Sequence, residues 1–174
     1  LAIDSVADLK DIESAVGFPC IFKTRQMGYD GKGQARVANL KEAQQAFTEL
    51  GASNLIAEQL IAFTRELSIV AVASGKETLC YPLVENVHVA GILRQTLAPA
   101  PDLSDAQSNA AKDIADKVAT ALSYRGVFAV ELFETEAGLL VNEMAPRVHN
   151  SGHWTMDGAA TSQFENHVRA VLDM

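Results

Sequence analysis

Residues 127–144 decide the fold, and they read Val127-Phe128-Ala129-Val130-Glu131-Leu132-Phe133-Glu134-Thr135-Glu136-Ala137-Gly138-Leu139-Leu140-Val141-Asn142-Glu143-Met144. Two strand-like runs flank Glu136-Ala137-Gly138, and this combination predicts a β-hairpin. We take those three residues as the loop, with Gly138 in the left-handed conformation that such loops favour. This register places Glu131 directly opposite Glu143, with Cβ atoms roughly 5 Å apart.

Two carboxylates side by side repel each other unless one is protonated or a cation lies between them. Mg²⁺ accepts one or two carboxylates together with phosphate oxygens, so Glu131 and Glu143 are candidate metal ligands. The alternative is a solvent-facing pair of glutamates on an edge hairpin. Ala129, Phe133 and Val141 share the face of Glu131 in this register, which argues against full exposure.

The rest of the sequence mixes helical and strand patterns. The predicted helices cover residues 5–16, 39–50, 104–123 (with Asp102 as an alternative start) and 160–174, and the predicted strands cover residues 19–24, 34–38, 54–60, 66–74, 77–87 and 91–98. Strands in hairpins interspersed with helices indicate an α+β fold. The change of pattern near residues 60–65 divides it into two pieces, residues 1–62 and 63–174.

Composition excludes several classes of protein. The net charge of -8 disfavours nucleic acid as a partner, because an acidic surface repels phosphate backbones. The longest apolar runs are too short to span a membrane.

Cys20 and Cys80 lie in apolar runs without a CxxC pair, which indicates free thiols in a reducing compartment such as the cytoplasm. Residues 1–4 lack an initiating Met and a basic signal region, so we expect a piece of a longer protein.

A glycine-rich segment is the second candidate site, and it reads Lys23-Thr24-Arg25-Gln26-Met27-Gly28-Tyr29-Asp30-Gly31-Lys32-Gly33-Gln34. Glycines let backbone N–H groups approach an anion and lysine adds positive charge, so the segment is a candidate phosphate-binding loop. It is not a Walker A loop, since Gly-Lys-Gly runs into a strand. An ordinary hairpin loop is the alternative. Lys23 favours phosphate binding, because a charge at the end of an apolar strand needs a partner.

The third candidate is the polar loop after the hairpin, Met144-Ala145-Pro146-Arg147-Val148-His149-Asn150-Ser151-Gly152-His153-Trp154-Thr155. Polar side chains directly after a carboxylate-bearing strand suggest a substrate loop, and a surface loop of chance polar content is the alternative. Arg147 suits a planar oxyanion such as bicarbonate, or a phosphate. His149 and His153 have the spacing of a zinc pair, but Gly152 argues against the helix that a zinc pair needs.

Three isolated residues give weaker signals. Glu58 and Glu66 flank the junction between the two pieces, where a base and ribose could lie, although a glutamate at a strand end is more often solvated. His88 has the pattern of a structural histidine rather than a catalytic one.

Taken together, these motifs resemble the ATP-grasp portion of the 5-(carboxyamino)imidazole ribonucleotide synthetase family. The resemblance runs across essentially the whole chain, and the segments that carry it are 22–34, 58–59, 65–68, 81–84 and above all 142–155. The last segment is highly specific, whereas the general ATP-grasp pattern is shared by many ligases.

The resemblance implies an ATP-grasp fold, in which two α+β subdomains clasp a nucleotide. Residues 1–62 would form the small lid subdomain and residues 63–174 the large metal and substrate subdomain, and the family's N-terminal and C-terminal domains would be absent from this chain. ATP and bicarbonate would form carboxyphosphate, whose carboxyl group passes to the amine of 5-aminoimidazole ribonucleotide. The implied cofactors are ATP and Mg²⁺, and the full-length enzyme would be a homodimer.

The resemblance also implies roles for individual residues. The nucleotide would be bound by Lys23, Gly28, Tyr29, Asp30, Gly31, Lys32, Gly33, Glu58, Gln59 and Glu66. The substrates would be bound by Arg147, His149, Asn150, Ser151, Gly152 and His153. The catalytic residues would be Lys32, Arg147 and His149, and the Mg²⁺ ligands would be Glu131 and Glu143.

Two other functions stay open. One is a different ATP-grasp carboxylate–amine ligase or carboxylase, against which the loop at residues 146–155 argues. The other is a non-catalytic nucleotide-binding module, which the presence of Lys23, Glu131 and Glu143 disfavours.

Overall fold

The computed structural model describes residues 1–26 and 32–174. Contacts among them group the chain into two compact units. The first unit comprises Leu1–Ala62 with Ala90–Ile92, and the second comprises Phe63–Val89 with Leu93–Met174. Each unit has its own antiparallel β-sheet and its own apolar core.

The first unit is a four-stranded sheet in the order β1-β4-β2-β3. Its elements are β1 (Ala2–Ile3), a 3-10 helix (Val6–Asp11), α1 (Ile12–Ala15), β2 (Cys20–Thr24), β3 (Gln34–Val37), α2 (Leu40–Glu49) and β4 (Leu55–Gln59). Successive residues of a strand point to opposite faces. Cys20 and Phe22 are therefore buried in the same core as Ala43 and Phe47 of α2, while Lys23 points to the other face.

The helix predicted at residues 5–16 is wrong in type over its first half. The segment begins as the 3-10 helix Val6–Asp11 and contains only one α-helical turn, α1. The carboxylate of Asp8 accepts the backbone N–H groups of Asp4 and Ser5, which satisfies the free donors at the start of the tight turn. These hydrogen bonds also lower the pKa of Asp8.

The second unit contains a six-stranded sheet, in which β10-β9-β5-β7-β8 are neighbours in that order and β6 pairs with β5. Its elements are β5 (Arg65–Ala73), β6 (Thr78–Cys80), β7 (Val84–Val89), β8 (Ile92–Leu97), α3 (Asp105–Leu122), β9 (Gly126–Thr135), β10 (Gly138–Ala145), a 3-10 helix (Asn150–Gly152), α4 (Thr155–Gly158) and α5 (Gln163–Leu172).

The central strand β5 has one face packed against α3 and another that carries polar groups. Leu67, Ile69 and Ala71 lie in one core with the alanines of α3, which repeat at every fourth residue and let the helix approach closely: Ala111, Ala115 and Ala119. The alternate residues of β5, Glu66 and Ser68, point to the opposite face. That opposite face therefore carries the side chains available for chemistry.

Two boundaries differ from the sequence predictions. The single strand predicted at residues 77–87 is two strands, β6 and β7, because Pro82 lies between them and has no N–H for a sheet hydrogen bond. The last helix starts at Gln163 rather than near residue 160, since the side chain of Ser162 caps it by accepting the N–H of Glu165. Among the residues that the structure describes, no helix has the length and apolar character needed to cross a membrane.

The β9–β10 hairpin has a shorter loop than predicted. Gly138 pairs with Thr135, so only Glu136 and Ala137 connect the strands, and the three-residue loop was wrong. Gly138 has φ of +117°, a conformation that glycine adopts without strain. A register shift between Val141 and Glu143 inserts one extra residue, a β-bulge, and it brings Glu143 opposite Glu131.

Candidate functional site

The two carboxylates of the hairpin are neighbours on the polar face of the second unit. Glu131 lies on β9, opposite Ser68 of β5 on one side and Glu143 of β10 on the other. The side chain of Glu131 is 15% exposed and contacts the imidazole of His149, with Nε2 3.2 Å from Oε1. Glu143 is exposed. One carboxylate is thus held within the protein and its neighbour reaches solvent.

These carboxylates fit a hard divalent cation. Opposed carboxylates offer the oxygen ligands that Mg²⁺ prefers, and Mg²⁺ commonly takes one or two carboxylates with phosphate and water oxygens. Within residues 1–26 and 32–174, no group of three or more His, Cys, Asp or Glu side chains is arranged to hold a metal ion. Glu131 and Glu143 would therefore need additional oxygens from a bound phosphate or from water.

His149 is oriented by a buried serine pair. Its Nδ1 lies 2.8 Å from the hydroxyl of Ser151, which accepts a 2.8 Å hydrogen bond from the hydroxyl of Ser68. All three side chains are buried. Ser151, predicted to bind substrate, directs its side chain into the protein, where it contacts His149.

The polar cluster continues across β5 into the neighbouring strands. Asn86 of β7 donates from Nδ2 to the hydroxyl of Ser68 at 2.8 Å, and its Oδ1 accepts from the hydroxyl of Thr96 of β8 at 3.0 Å. Sequence reasoning missed Ser68, Asn86 and Thr96. The sequence does carry a signal for these residues. A polar residue stands at every second position of strands that are otherwise apolar, and this pattern marks a polar face.

The backbone of His149 is held by a buried glutamine. Gln163 accepts the N–H of His149 at 2.9 Å and donates to its carbonyl oxygen at 2.8 Å. The side chain of Thr155 accepts from the backbone N–H of Gln163 at 2.9 Å and donates to the carbonyl of Gly152 at 2.6 Å. These contacts fix the backbone of the loop between His149 and Thr155.

Gly152 lies against the same glutamine. A Cβ at this position would stand 2.5 Å from Oε1 of Gln163, so only glycine leaves room for the clamp on His149. Gly152 is buried and offers no side chain, so any contact that it makes with substrate is through its backbone.

The remaining residues of the loop lie nearer the surface. Arg147 is exposed and donates only to the adjacent carbonyl of Val148, at 2.9 Å, among the contacts described. Asn150 is exposed at the start of its 3-10 helix, and the ring of His153 stacks on Phe164 with centroids 5.9 Å apart. Of these residues, Arg147 presents a charged fork to solvent, as an oxyanion site requires.

His88 belongs to the polar face, which its sequence pattern did not reveal. Its Nδ1 lies 3.0 Å from Oε2 of Glu66, the predicted ribose contact. The hydrogen bond with Glu66 raises the pKa of His88 against the effect of burial, and the charges of Glu131 and Glu143 act in the same direction. The raised pKa of His88 thus reflects the acidic side chains around it, and its position two residues after Asn86 on β7 places it on this face.

In the first unit, Lys23 has a partner within the protein. Its Nζ lies 2.8 Å from Oε2 of Glu58, on the face of the sheet away from the core. The charge of Lys23 does have a partner, as the sequence argument required, but Glu58 supplies it within the protein, so the position of Lys23 alone does not favour phosphate binding. Gln59 pairs with Cys20, so its side chain points to the opposite face from Glu58.

The glycine-rich segment is described only in part. Thr24 donates its N–H to the carbonyl of Gly33 at 2.7 Å, and a Cβ on Gly33 would stand 2.5 Å from the hydroxyl of Thr24. With φ of +78°, Gly33 is a position for glycine alone. Lys32 is exposed beside it. The other predicted nucleotide-binding residues of this segment lie outside the described residues: Gly28, Tyr29, Asp30 and Gly31.

The sequence and the fold both match known proteins. The N5-carboxyaminoimidazole ribonucleotide synthase of Pseudomonas aeruginosa is 49% identical over 173 residues, which cover 99% of this chain and 47% of that protein. The crystal structure of N5-carboxyaminoimidazole ribonucleotide synthetase from Thermus thermophilus is similar with a TM-score of 0.89 and 49% identity, covering 99% of this chain and 47% of that one.

A third relative was solved with ligands. The N5-carboxyaminoimidazole synthase of Aspergillus clavatus, in complex with ADP and 5-aminoimidazole ribonucleotide, has a TM-score of 0.89 and 36% identity over 100% of this chain and 46% of its own. The chain spans about half the length of the curated relatives that it matches. The ATP-grasp domain family matches residues 1–164, which confirms the predicted fold. This chain belongs to the ATP-grasp family.

Proposed function

We propose that this chain supplies the nucleotide-binding and catalytic groups for carboxylation of the amine of 5-aminoimidazole ribonucleotide, with ATP and bicarbonate as co-substrates. The observation that carries the proposal is the opposed pair Glu131 and Glu143, tied through His149 to the buried side of the loop that follows β10. The relatives named as N5-carboxyaminoimidazole ribonucleotide synthases, and the Aspergillus complex with ADP and the ribonucleotide, support the choice of substrate.

The proposed reaction has two steps. Bicarbonate attacks the terminal phosphorus of ATP, the bond to ADP breaks, and carboxyphosphate forms. The amine of the ribonucleotide then attacks the carboxyl carbon, phosphate leaves with the bonding electron pair, and the amine loses a proton. Both steps depend on positioning and on neutralising negative charge.

The residues of this chain match those requirements. Lys23 and Lys32 supply positive charge for the phosphates, and the planar guanidinium of Arg147 suits bicarbonate or the carboxyl end of carboxyphosphate. Nε2 of His149 lies 3.2 Å from Oε1 of Glu131, a contact that holds that carboxylate in place. Glu66 is the proposed ribose contact, and its partner His88 holds its carboxylate in a fixed position.

Glu131 and Glu143 are the proposed Mg²⁺ ligands. When bound there, Mg²⁺ would supply charge neutralisation for the phosphate oxygens. The family resemblance also underlies our proposal that the complete enzyme acts as a homodimer.

The experiment that tests the proposed reaction is a chimera. The matching 173-residue segment of the Pseudomonas aeruginosa relative is replaced by this chain, and phosphate release from ATP is measured. We expect release that requires both bicarbonate and 5-aminoimidazole ribonucleotide. Release stimulated by a different amine or acid would contradict the proposed substrate. A folded chimera that binds Mg-ADP without any turnover would favour the non-catalytic alternative.

A further inference from the structure

A continuous series of hydrogen bonds crosses the polar face of the second unit and ends on a proposed metal ligand. We term it the β8–Glu131 network, and its members in order are Thr96, Asn86, Ser68, Ser151, His149 and Glu131. Its four inner members are buried, so each depends on its neighbours for hydrogen bonds. The donor and acceptor roles of neighbouring groups in the network are therefore coupled.

The order of hydrogen-bond donors and acceptors starts at the amide of Asn86. Its Oδ1 accepts from the hydroxyl of Thr96 at 3.0 Å, which leaves Nδ2 facing Ser68 at 2.8 Å. An amide nitrogen can only donate, so the hydroxyl oxygen of Ser68 is the acceptor. The proton of Ser68 is then free to be donated to Ser151, 2.8 Å away.

The same order of donors and acceptors continues to the imidazole of His149. The hydroxyl of Ser151 accepts from Ser68, so its own proton points to Nδ1 of His149 at 2.8 Å. The backbone N–H of Ser151 is also directed at Nδ1, at 3.4 Å. A backbone N–H can only donate, so this longer contact agrees with Nδ1 as an acceptor.

An acceptor at Nδ1 decides what the other ring nitrogen does. A neutral imidazole that accepts at Nδ1 carries its proton on Nε2. Nε2 lies 3.2 Å from Oε1 of Glu131, so it donates to that carboxylate. One oxygen of Glu131 is then occupied by His149, and the orientation of the other is fixed.

We propose that Thr96, Asn86, Ser68 and Ser151 are positioning residues that hold His149 in the tautomer protonated at Nε2, so that His149 fixes the Glu131 carboxylate for its ligand. The hydrogen-bond directions rest on the orientation of the Asn86 amide and on the backbone contact of Ser151. Their purpose in orienting a metal ligand rests on the proposed function. Partners in the second shell of a metal site commonly act in this way, and their loss typically costs about 10-fold to 100-fold in metal affinity.

The unmodified chain provides the first test. Two-dimensional ¹H–¹⁵N spectra of the imidazole rings distinguish a protonated from an unprotonated ring nitrogen, and a His149→Gln variant identifies the signals of His149. We expect an N–H signal at Nε2 and an unprotonated Nδ1. A proton on Nδ1 and none on Nε2 would overturn the proposal.

The second test reverses the network. Asn86→Asp replaces the donating amide nitrogen with an acceptor oxygen, so Ser68 must donate to residue 86 and Ser151 must donate to Ser68. Nδ1 of His149 is then left to donate, and we expect an N–H signal to appear there. The control is Gln95→Glu, which makes the same chemical change at an exposed position of β8 outside the network. An unchanged His149 spectrum in a folded Asn86→Asp variant would contradict the proposal.

A third variant keeps the test independent of Asn86. Thr96→Val removes the hydroxyl that orients the amide of Asn86. We expect this variant to lose the single signal of unprotonated Nδ1 of His149, or to split it between the two tautomers. Thr96→Ser retains the hydroxyl and should keep the signal. Calorimetry with ADP gives the second measurement. Thr96→Val should weaken the Mg²⁺-dependent part of ADP binding by about tenfold and leave binding without Mg²⁺ unchanged.

The two measurements separate this inference from the proposed function. If the spectra of His149 follow the network while Mg²⁺ never affects ADP binding, the hydrogen-bond directions are right and the metal role of Glu131 is wrong. If His149 keeps the same spectrum in the folded Thr96→Val and Asn86→Asp variants, the network does not set its tautomer, whatever the enzyme catalyses.

Discussion

Glu131 and Glu143 lie opposite each other on β9 and β10 because the ladder between the strands slips by one residue beside them. The ladder is regular from Gly138 opposite Thr135 to Val141 opposite Leu132. Without the slip, Asn142 would take the position opposite Glu131. Bulges of this kind redirect side chains and are common beside active sites. The pair of carboxylates therefore depends on irregular backbone, because a regular hairpin with the observed two-residue turn would lack it.

Neutralising one carboxylate tests the metal role of this pair. We expect Glu143→Gln to weaken the binding of Mg-ADP to the chain by at least about tenfold, because one of two charged oxygen ligands is lost. Binding of ADP without Mg²⁺ should change little. Titration calorimetry with and without Mg²⁺ measures both quantities. The matched control is Glu136→Gln, which removes the same charge from the exposed turn of the same hairpin. Equal losses in the two variants would show a general charge effect and sink the ligand assignment.

The ion pair of His88 and Glu66 makes stability depend on pH. The hydrogen bond with Glu66 raises the pKa of His88 in the folded protein above its unfolded value. The stabilisation from protonated His88 is therefore fully present below the unfolded pKa of about 6.5, and it is lost as the pH rises through the higher folded value. We expect His88→Gln to reduce the free energy of unfolding more at about pH 6 than at about pH 8.5.

Urea unfolding at the two pH values measures this difference. Glu66→Gln is the matched variant, because it removes the cause of the raised pKa and should lower the pKa of His88 in an NMR titration. A pH-independent effect of His88→Gln would mean that the pKa of His88 is the same in the folded and unfolded protein, contrary to the expected ion pair.

The glycine beside the glutamine clamp gives a steric prediction. Gly152→Ala places a Cβ 2.5 Å from Oε1 of Gln163, so the clamp on His149 must shift. We expect a loss of about 1–3 kcal/mol in the free energy of unfolding. Gln163→Ala removes the obstructing side chain, so Gly152→Ala should cost much less in that background. Chemical denaturation of the two single variants and the double variant gives the coupling energy. Additive losses would show that the two residues do not interact.

The sequence predicted the general architecture because the relevant signals are local. Hydrophobic alternation and the capping residues Asn39 and Ser104 located most strands and helices, since both depend on a few neighbouring residues. The bulge at Asn142 was missed, because a slip of one residue is decided by packing across strands and leaves no mark in the strand pattern itself.

The candidate site likewise contains residues that the sequence reveals and residues that only the fold reveals. Glu131, Glu143 and the loop with Arg147 and His149 stood out as charged residues beside an apolar strand. Ser68 and Asn86 did not, because a small polar residue in a strand usually pairs with its own neighbourhood, and only the fold brings them to a histidine far along the chain. Long-range hydrogen bonds are the part of the site that one sequence cannot specify.

The ion pair of Lys23 is another long-range contact, because its partner Glu58 lies on a different strand. This pair provides the last prediction. The side chain of Glu58 is 37% exposed, so the pair is worth at most about 1 kcal/mol and Lys23→Met should change stability little. If the lysine contacts phosphate, Lys23→Met should still weaken ADP binding by about tenfold, as loss of a charge-assisted hydrogen bond does. Lys41→Met is the control, because it removes the same charge from an exposed position of α2. Unfolding and calorimetry measure the two effects, and unchanged ADP affinity in Lys23→Met would mean that Lys23 does not contact the nucleotide.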